Sequence, residues 1–318
     1  MQPIHIVVSG LGAIGGYYGG RLAFYTEPLT SIHTSFFMRS GVHLEQVRRE
    51  GLHITSPSLD LWAHPYRASD RVEDLPQADV LLLATKSYDA LANIEQLRSI
   101  ITPSTVIVPL HNGLDVPPAI HRALPENLIL PGVCHITGRR IAPGEIAIRS
   151  DRNVLKFGAT SDLNSRLAPS EWQIAEAFYT LLKASGVSCC LYREMAPYLR
   201  EKYLMLSPSA TATAYFDKPI GRVLDEHNEE FRGLIAELAS LYRAAGWEQD
   251  LFLEESGYQS VGKMPREATT SMHSDILAGH QSELESLVGY VVRLGRQLGL
   301  PTPLYAKMYQ GLLQRRSN

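Results

Sequence analysis

Ile4-His5-Ile6-Val7-Val8-Ser9-Gly10-Leu11-Gly12-Ala13-Ile14-Gly15 is the stretch that decides the fold. Its first half is a short apolar run, the pattern of a parallel strand covered on both faces. Its second half is G-x-G-x-x-G, and residues 13–24 read as a helix. A strand, that glycine spacing and a helix in direct succession form the setting in which the motif cradles a dinucleotide. Gly10 permits the tight turn, Gly12 lets a pyrophosphate approach the backbone, and Gly15 lets helix and strand pack closely. The helix N-terminus adds free N–H groups and the positive end of its dipole. Gly10, Leu11, Gly12, Ala13, Ile14 and Gly15 are therefore candidate cofactor-binding residues. The alternative is a tight strand–helix turn with no ligand.

Outward from there, residues 31–38 form a second strand, reached over a long turn at 25–30 that contains Pro28. Residues 79–84 and 105–110 are further buried strands, with a helical pattern at 88–101 between them. Strands alternating with helices predict a parallel sheet with right-handed crossovers. Shorter strands at 128–135, 144–148 and 154–157 are expected to close that sheet, and a helix at 169–185 completes the domain. From about Tyr192 the strand patterns stop. Helices are expected at 193–206, 227–245, 275–298 and 304–314, the last two parted by Gly299-Leu300-Pro301-Thr302-Pro303. The expected fold class is an α/β Rossmann-type parallel-sheet domain, residues 1–191, followed by an all-α C-terminal domain, residues 192–318.

Two domains also suit 318 residues, at roughly 100–200 per domain. A hydrophobic share of 45% and a charged share of 20% exclude low-complexity disorder, and a chain this long needs no disulfide or metal staple. The net charge is −3, with no basic stretch longer than Arg315-Arg316, which argues against a nucleic-acid partner. No apolar run nears the roughly 18 residues of a membrane span. Met1-Gln2-Pro3 leads into the first strand without the n- and h-regions of a signal peptide. Cys134, Cys189 and Cys190 are odd in number, two are adjacent, and no Cys-x-x-Cys occurs. They read as thiols of a reducing cytosol, so a cytoplasmic location is expected. His273 and His280 lack a ligand-spaced carboxylate partner, so no metal is expected.

The ends of the other strands carry polar residues, and open parallel sheets bind ligands there. Arg39 stands where an NAD site places Asp or Glu, and no carboxylate neighbours it in sequence. A guanidinium suits a 2′-phosphate, which favours NADP(H); a solvated loop arginine is the other reading. Lys86 and Asn112 follow the next two strands and are expected to face the cofactor, although Asn112-Gly113 is also a favoured turn pair. In the helical domain, Met195, Leu199, Lys202 and Leu206 fall on one face. A lysine on an apolar stripe either snorkels or serves as a desolvated ammonium that donates a proton near neutral pH. Reduction of a ketone requires such a donor, because negative charge grows on the carbonyl oxygen. Glu283, at the edge of a stripe formed by Leu277, Leu284, Leu287, Val288 and Val291, is its candidate partner or an ordinary surface glutamate. Ser271 and Asp275 are normal helix caps, and Ser271 at a helix start could also receive a substrate carboxylate.

Set in order, these features resemble the ketopantoate reductase family (2-dehydropantoate 2-reductases) nearly end to end. The resemblance rests on Gly10 to Gly15, Arg39, Thr85-Lys86, His111-Asn112-Gly113, Gly138-Arg139-Arg140 before a Pro-Gly turn, Glu201-Lys202, Ser271-Met272 with Asp275 and Glu283, and the 299–303 break. It implies a Rossmann domain plus a helical domain and NADPH-dependent reduction of 2-dehydropantoate to (R)-pantoate, in pantothenate and coenzyme A biosynthesis. It implies Lys202 as proton donor and Glu283 as the residue that orients the lysine or contacts the cofactor. Asn112 would touch nicotinamide and substrate, Ser271 would bind the substrate carboxylate, and Lys86 and Gly138 would line the cofactor.

The chain also departs from the family. Family asparagines four and eight residues beyond the lysine are Leu206 and Ala210 here, and a third aligns with Ile220. Pro208 is expected to interrupt the helix that carries them. Three lost amides, at about 0.5–1.5 kcal/mol each, would weaken a polar substrate greatly. A small-molecule 2-oxo acid more apolar than ketopantoate is therefore a candidate substrate. A β-hydroxyacid-type dehydrogenase and a non-catalytic NADP-binding sensor are the competing readings. Helical second domains often pair, so a homodimer is expected.

Overall fold

The computed structural model describes residues 3–151, 153–164, 169–248 and 250–316. Met1 and Gln2, on which the absence of a signal peptide was read, lie outside them. The chain divides into two compact units: one takes the chain up to His111 together with Val116–Tyr198, the other takes Asn112–Asp115 together with the chain from Leu199 onward.

The first unit contains β1 (Ile4–Ser9), α1 (Ala13–Thr26), β2 (Ile32–Phe37), α2 (Val42–Glu50), β3 (Leu52–Ser56), β4 (Leu59–Ala63), β5 (Arg67–Ser69), β6 (Val80–Leu83), α3 (Ala90–Gln96), β7 (Val106–Pro109), α4 (Val116–Ala123), β8 (Gly132–His135), β9 (Gly138–Ala142), β10 (Glu145–Ile148), β11 (Val154–Gly158), α5 (Pro169–Ala184) and β12 (Ser188–Tyr192). Five strands form the expected parallel sheet in the order β5-β2-β1-β6-β7. The order reverses between β1 and β6, where open sheets leave a crevice at the carboxyl ends of their strands. Ile6 and Val8 pack in one apolar cluster and Val7 in another, each at most 1% exposed. The two covered faces explain why β1 is continuously apolar. Each such side chain contributes about 1.5–3 kcal/mol.

The strands expected to close this sheet build two others. β8 and β11 join β12 in a three-stranded sheet, and β10 lies in a four-stranded sheet ordered β4-β3-β10-β9. The stretch 128–135 reaches the parallel sheet through a bridge between Ile129 and Ile107. For the four-stranded sheet the physical reason lies in α1, where Gly16 and Gly20 present no side chain. A Cβ on Gly20 would lie 2.1 Å from Ile54 Cδ1, and one on Gly16 would lie 2.8 Å from Ile146 Cγ1. Strands β3 and β10 therefore close on α1 along its Gly16–Gly20 face, next to the Gly15–Gly19 face that meets the parallel sheet and its loop. α1 also runs on to Thr26, which shortens the turn expected at 25–30. Pairing of β12 with β11 continues to Tyr192, whose ring meets that of Tyr198 at 4.2 Å. The division between units accordingly falls after Tyr198, where the sequence pattern places it at 191/192.

The second unit is helical: α6 (Ala196–Phe216), α7 (Ile220–Glu226), α8 (Asn228–Ala244), α9 (Leu253–Gly262), α10 (Ser271–Leu277), a π-helical turn at Glu285–Gly289 that leads into α11 (Tyr290–Leu298), and α12 (Pro303–Arg316). Pro208 does not interrupt α6, which runs through it. The hydroxyls of Ser209, Thr211 and Thr213 donate to carbonyls four residues back at 2.7 Å, and Ser207 Oγ donates to Leu287 O at 2.7 Å. The back-bonded hydroxyls are thus satisfied inside the helix, and Ser207 ties the turn at Pro208 to the π-helical segment. The helix expected over 275–298 is two helices. Gly279 follows α10 with a left-handed φ of 66°, and left-handed glycines end helices. Leu277 is consequently 64% exposed rather than part of the buried stripe, whereas Leu284, Leu287, Val288 and Val291 are at most 1% exposed. Among the described residues no helix is long and apolar enough to cross a membrane, and no cluster of three His, Cys, Asp or Glu could hold a metal ion.

Candidate active site

The glycine-rich loop of the first unit leaves β1 at the point where the sheet order reverses. Gly10 has a φ of 90°, and a Cβ there would lie 2.6 Å from Thr85 N and 2.7 Å from Ala84 C. The loop is therefore packed against the segment that follows β6. A Cβ on Gly15 would lie 2.0 Å from Gly10 O, so helix and turn touch. At Gly12 the added atom would meet nothing within 4 Å. Two closed glycines and one open one match a backbone that must admit a pyrophosphate at its middle glycine. Gly12 is also the N-cap of α1 and provides no side-chain cap. Leu11 is buried, while Ala13 and Ile14 are partly exposed at the helix start. These residues fit a bound dinucleotide.

Arg39 follows β2 and is exposed. Its Nη2 lies 3.3 Å from Asp89 Oδ2, so a carboxylate that is distant in sequence stands beside it. Lys86 follows β6, half-buried, as the cap of a short 3-10 turn at Ser87–Asp89. Gly138 opens β9 opposite Ile148, and a Cβ there would lie 2.5 Å from Ile148 Cδ1. His111, at the end of this unit's β7 segment, is buried, and its Nε2 lies 3.3 Å from Thr85 Oγ1. Burial pushes this imidazole down to about 4, so it is neutral at pH 7.

The second unit brings three of the candidate side chains together. Lys202 Nζ donates to Asn112 Oδ1 at 3.0 Å, and Asn112 Nδ2 donates to Glu283 Oε2 at 3.2 Å. The amide is thereby oriented, its oxygen toward the ammonium and its nitrogen toward the carboxylate. Glu283 is only 4% exposed, not a surface glutamate. Lys202 is half-buried, as are Leu199 and Leu206 on its face of α6. Ala210 and Ile220 are buried in the apolar core of this unit. Ser271 opens α10 on the surface, and the helix is capped by Thr270, whose hydroxyl accepts from His273 N at 3.3 Å.

Sequence patterning missed the residues that set this geometry. Ser286 Oγ donates to Asp115 Oδ2 at 3.1 Å and so ties the segment of Asn112 to the π-helical turn beside Glu283. Burial raises the Asp115 carboxyl above the usual range, against the Ser286 hydrogen bond and the Arg293 charge. Tyr203, next to Lys202, donates to Ser286 O at 2.8 Å and approaches Leu287 O at 3.1 Å. A π-helical turn shifts the regular carbonyl pairing, and the Tyr203 and Ser207 hydroxyls occupy the carbonyls involved. No local pattern signals these contacts, which span 83 and 84 residues of chain.

The family model described as ketopantoate reductase PanE/ApbA matches residues 6–162, and its C-terminal counterpart matches residues 194–316. A crystal structure of 2-dehydropantoate 2-reductase from Porphyromonas gingivalis W83 is 34% identical, with a TM-score of 0.83 over 98% of this chain and 100% of that one. The uncharacterized oxidoreductase YkpB of Bacillus subtilis strain 168 is 26% identical over 96% of this chain and 97% of its own length. D-mandelate dehydrogenase, solved with NADH and anilino(oxo)acetate, is 17% identical and shares the fold at a TM-score of 0.83 over 99% of each chain.

Proposed function

Because this chain belongs to the ketopantoate reductase family, oxidoreductases that act on CH–OH groups with a nicotinamide dinucleotide, we propose that it is an NADPH-dependent reductase of a 2-oxo acid. Ketopantoate, reduced to pantoate for pantothenate and coenzyme A biosynthesis, is the default substrate. The observation that carries the reading is the chain of hydrogen bonds from Lys202 through Asn112 to Glu283.

When bound, the nicotinamide supplies a hydride to the carbonyl carbon of the oxo acid. Negative charge then grows on the carbonyl oxygen, and Lys202 Nζ is the donor that stabilises it and passes over its proton. Hydride and proton together convert C=O to CH–OH. Asn112 accepts one Nζ–H and so fixes where the ammonium points, while Glu283 fixes the amide. Ser271 is the proposed ligand of the substrate carboxylate. Gly10 to Gly15, Lys86 and Gly138 are assigned to the dinucleotide, and Arg39 to a 2′-phosphate. The first unit is assigned to the cofactor and the second to the substrate.

Leu206, half-buried one turn beyond Lys202, supports a substrate with an apolar end, whereas Ala210 and Ile220 are buried in the core of the unit. A sensor has no need of an ammonium held in this way. A cytoplasmic homodimer completes the reading. The test follows NADPH absorbance with ketopantoate and a panel of aliphatic and aromatic 2-oxo acids, for the wild type and Lys202→Ala. Turnover of at least one acid, lost on substitution, is expected. A wild type that binds NADPH yet turns over none of them overturns the assignment.

A further inference from the structure

His43 lies in the first turn of α2, outside every motif singled out above. Gly144 N donates to its Nδ1 at 2.8 Å, and its Nε2 lies 3.0 Å from Leu11 O. A backbone N–H can only donate, so Nδ1 carries a lone pair. A neutral imidazole must then hold its proton on Nε2, and that proton goes to the Leu11 carbonyl. Both ends of the ring are thus committed. One end is anchored in the β9–β10 turn, and the other grips the glycine-rich loop.

Leu11 O belongs to the peptide unit that also contains Gly12 N. Among the described residues there are no cis peptide bonds, and in a trans unit the N–H points opposite the C=O. Holding Leu11 O toward His43 therefore aims Gly12 N–H the other way. Gly12 has no side chain to resist rotation of this unit and open space where a Cβ would lie. A flipped unit would present a carbonyl oxygen, which repels phosphate, in place of a donor that binds it. We propose that His43 is a positioning residue for the dinucleotide, locking the Leu11–Gly12 peptide with its N–H available to the pyrophosphate. Burial and the Arg140 charge hold the ring below its ordinary titration range, in keeping with a neutral donor–acceptor.

The inference rests on the dinucleotide reading of the loop. Its test compares wild type, His43→Gln and His43→Asn. Gln can place an amide N–H near Nε2 and keep the bond to Leu11, whereas Asn reaches only the Nδ1 position and keeps the Gly144 anchor. Dissociation constants for NADPH and NADH are read from nicotinamide fluorescence, with Tm of the cofactor-free proteins alongside. We expect Asn to weaken the better-bound dinucleotide about tenfold while Gln stays within about threefold, at similar Tm and with kcat at saturating dinucleotide little changed. Equal affinity in all three proteins overturns the role of His43 and leaves the dinucleotide reading intact. Equal losses in Gln and Asn overturn the peptide lock in the same way. A wild type that binds neither dinucleotide overturns both.

Discussion

Asn112 Oδ1 accepts a hydrogen bond from Lys202 Nζ at 3.0 Å, and only the amide oxygen can do so, because the amide nitrogen donates and does not accept; it donates to Glu283 at 3.2 Å. Asn112→Asp replaces that nitrogen with a second carboxylate oxygen facing Glu283. The two acids repel, and the added negative charge favours the protonated form of Lys202. We expect kcat to fall by about tenfold or more and the alkaline limb of the pH–rate profile to move to higher pH. Superimposable profiles for wild type and variant would rule out a role for this amide in setting the donor.

His111 offers a separate handle on stability. Burial pushes its imidazole from 6.5 down to about 4 in the folded chain. The unfolded chain therefore binds a proton that the folded chain refuses, so folding stability falls as pH drops from about 6.5 toward about 4 and is fully present above that window. The loss attributable to this group is roughly 3 kcal/mol. His111→Gln, which cannot titrate, should flatten the curve over the same range. Denaturant unfolding of both proteins at pH 7, 5.5 and 4 measures it, and parallel curves would assign the acid lability elsewhere.

The shape of the glycine-rich loop was legible in the sequence because Gly10, Gly12 and Gly15 act within one short segment, over residues that are read together. Lys202, Asn112 and Glu283 could each be named from local pattern, but no pattern tells that 90 and 171 residues of chain separate partners in one hydrogen-bonded row. His43 and Gly144 are 101 residues apart, and Ser286 meets Asp115 across 171. Each looks like an ordinary helix or turn residue on its own. The misplaced strands have a similar cause. Residues 145–148 and 154–158 are apolar enough for a sheet, but which sheet they join is a tertiary fact, set for 145–148 by the contact of Ile146 with the bare Gly16 of α1. The helix at 275–298 was read as continuous because the apolar spacing of 284–291 carries on past it, while Gly279 marked the true stop.

Arg39 and Asp89 form an ion pair in which Arg39 remains 89% exposed. A 2′-phosphate arriving there has to compete with the Asp89 carboxylate for the guanidinium. Asp89→Asn removes the competitor and should tighten NADPH while leaving NADH nearly unchanged. Arg39→Ala should weaken NADPH by about ten- to a hundredfold, the range for one charge-assisted contact, again sparing NADH. Binding titrations with both dinucleotides separate the effects. If Arg39→Ala weakens the two equally, the arginine contacts something other than the 2′-phosphate and the preference for NADP(H) fails.

Leu206 sits one turn beyond Lys202 on the same face of α6, half-buried, with Ala210 a further turn on and sealed in the core. An apolar side chain at that distance from the proposed proton donor favours an oxo acid whose far end is hydrocarbon, because a hydroxyl placed against it would lose its hydrogen bonds to water without replacement. Leu206→Asn restores one amide. For a hydroxylated acid such as ketopantoate it should raise kcat/KM by about two- to tenfold, the worth of one neutral hydrogen bond. For an unsubstituted aliphatic acid of the same length it should lower kcat/KM. The informative quantity is the ratio of the two, since a general loss of folding or of cofactor binding cancels in it. A ratio equal to that of the wild type would mean that Leu206 does not meet the substrate, and the case for an apolar oxo acid would lose its main support.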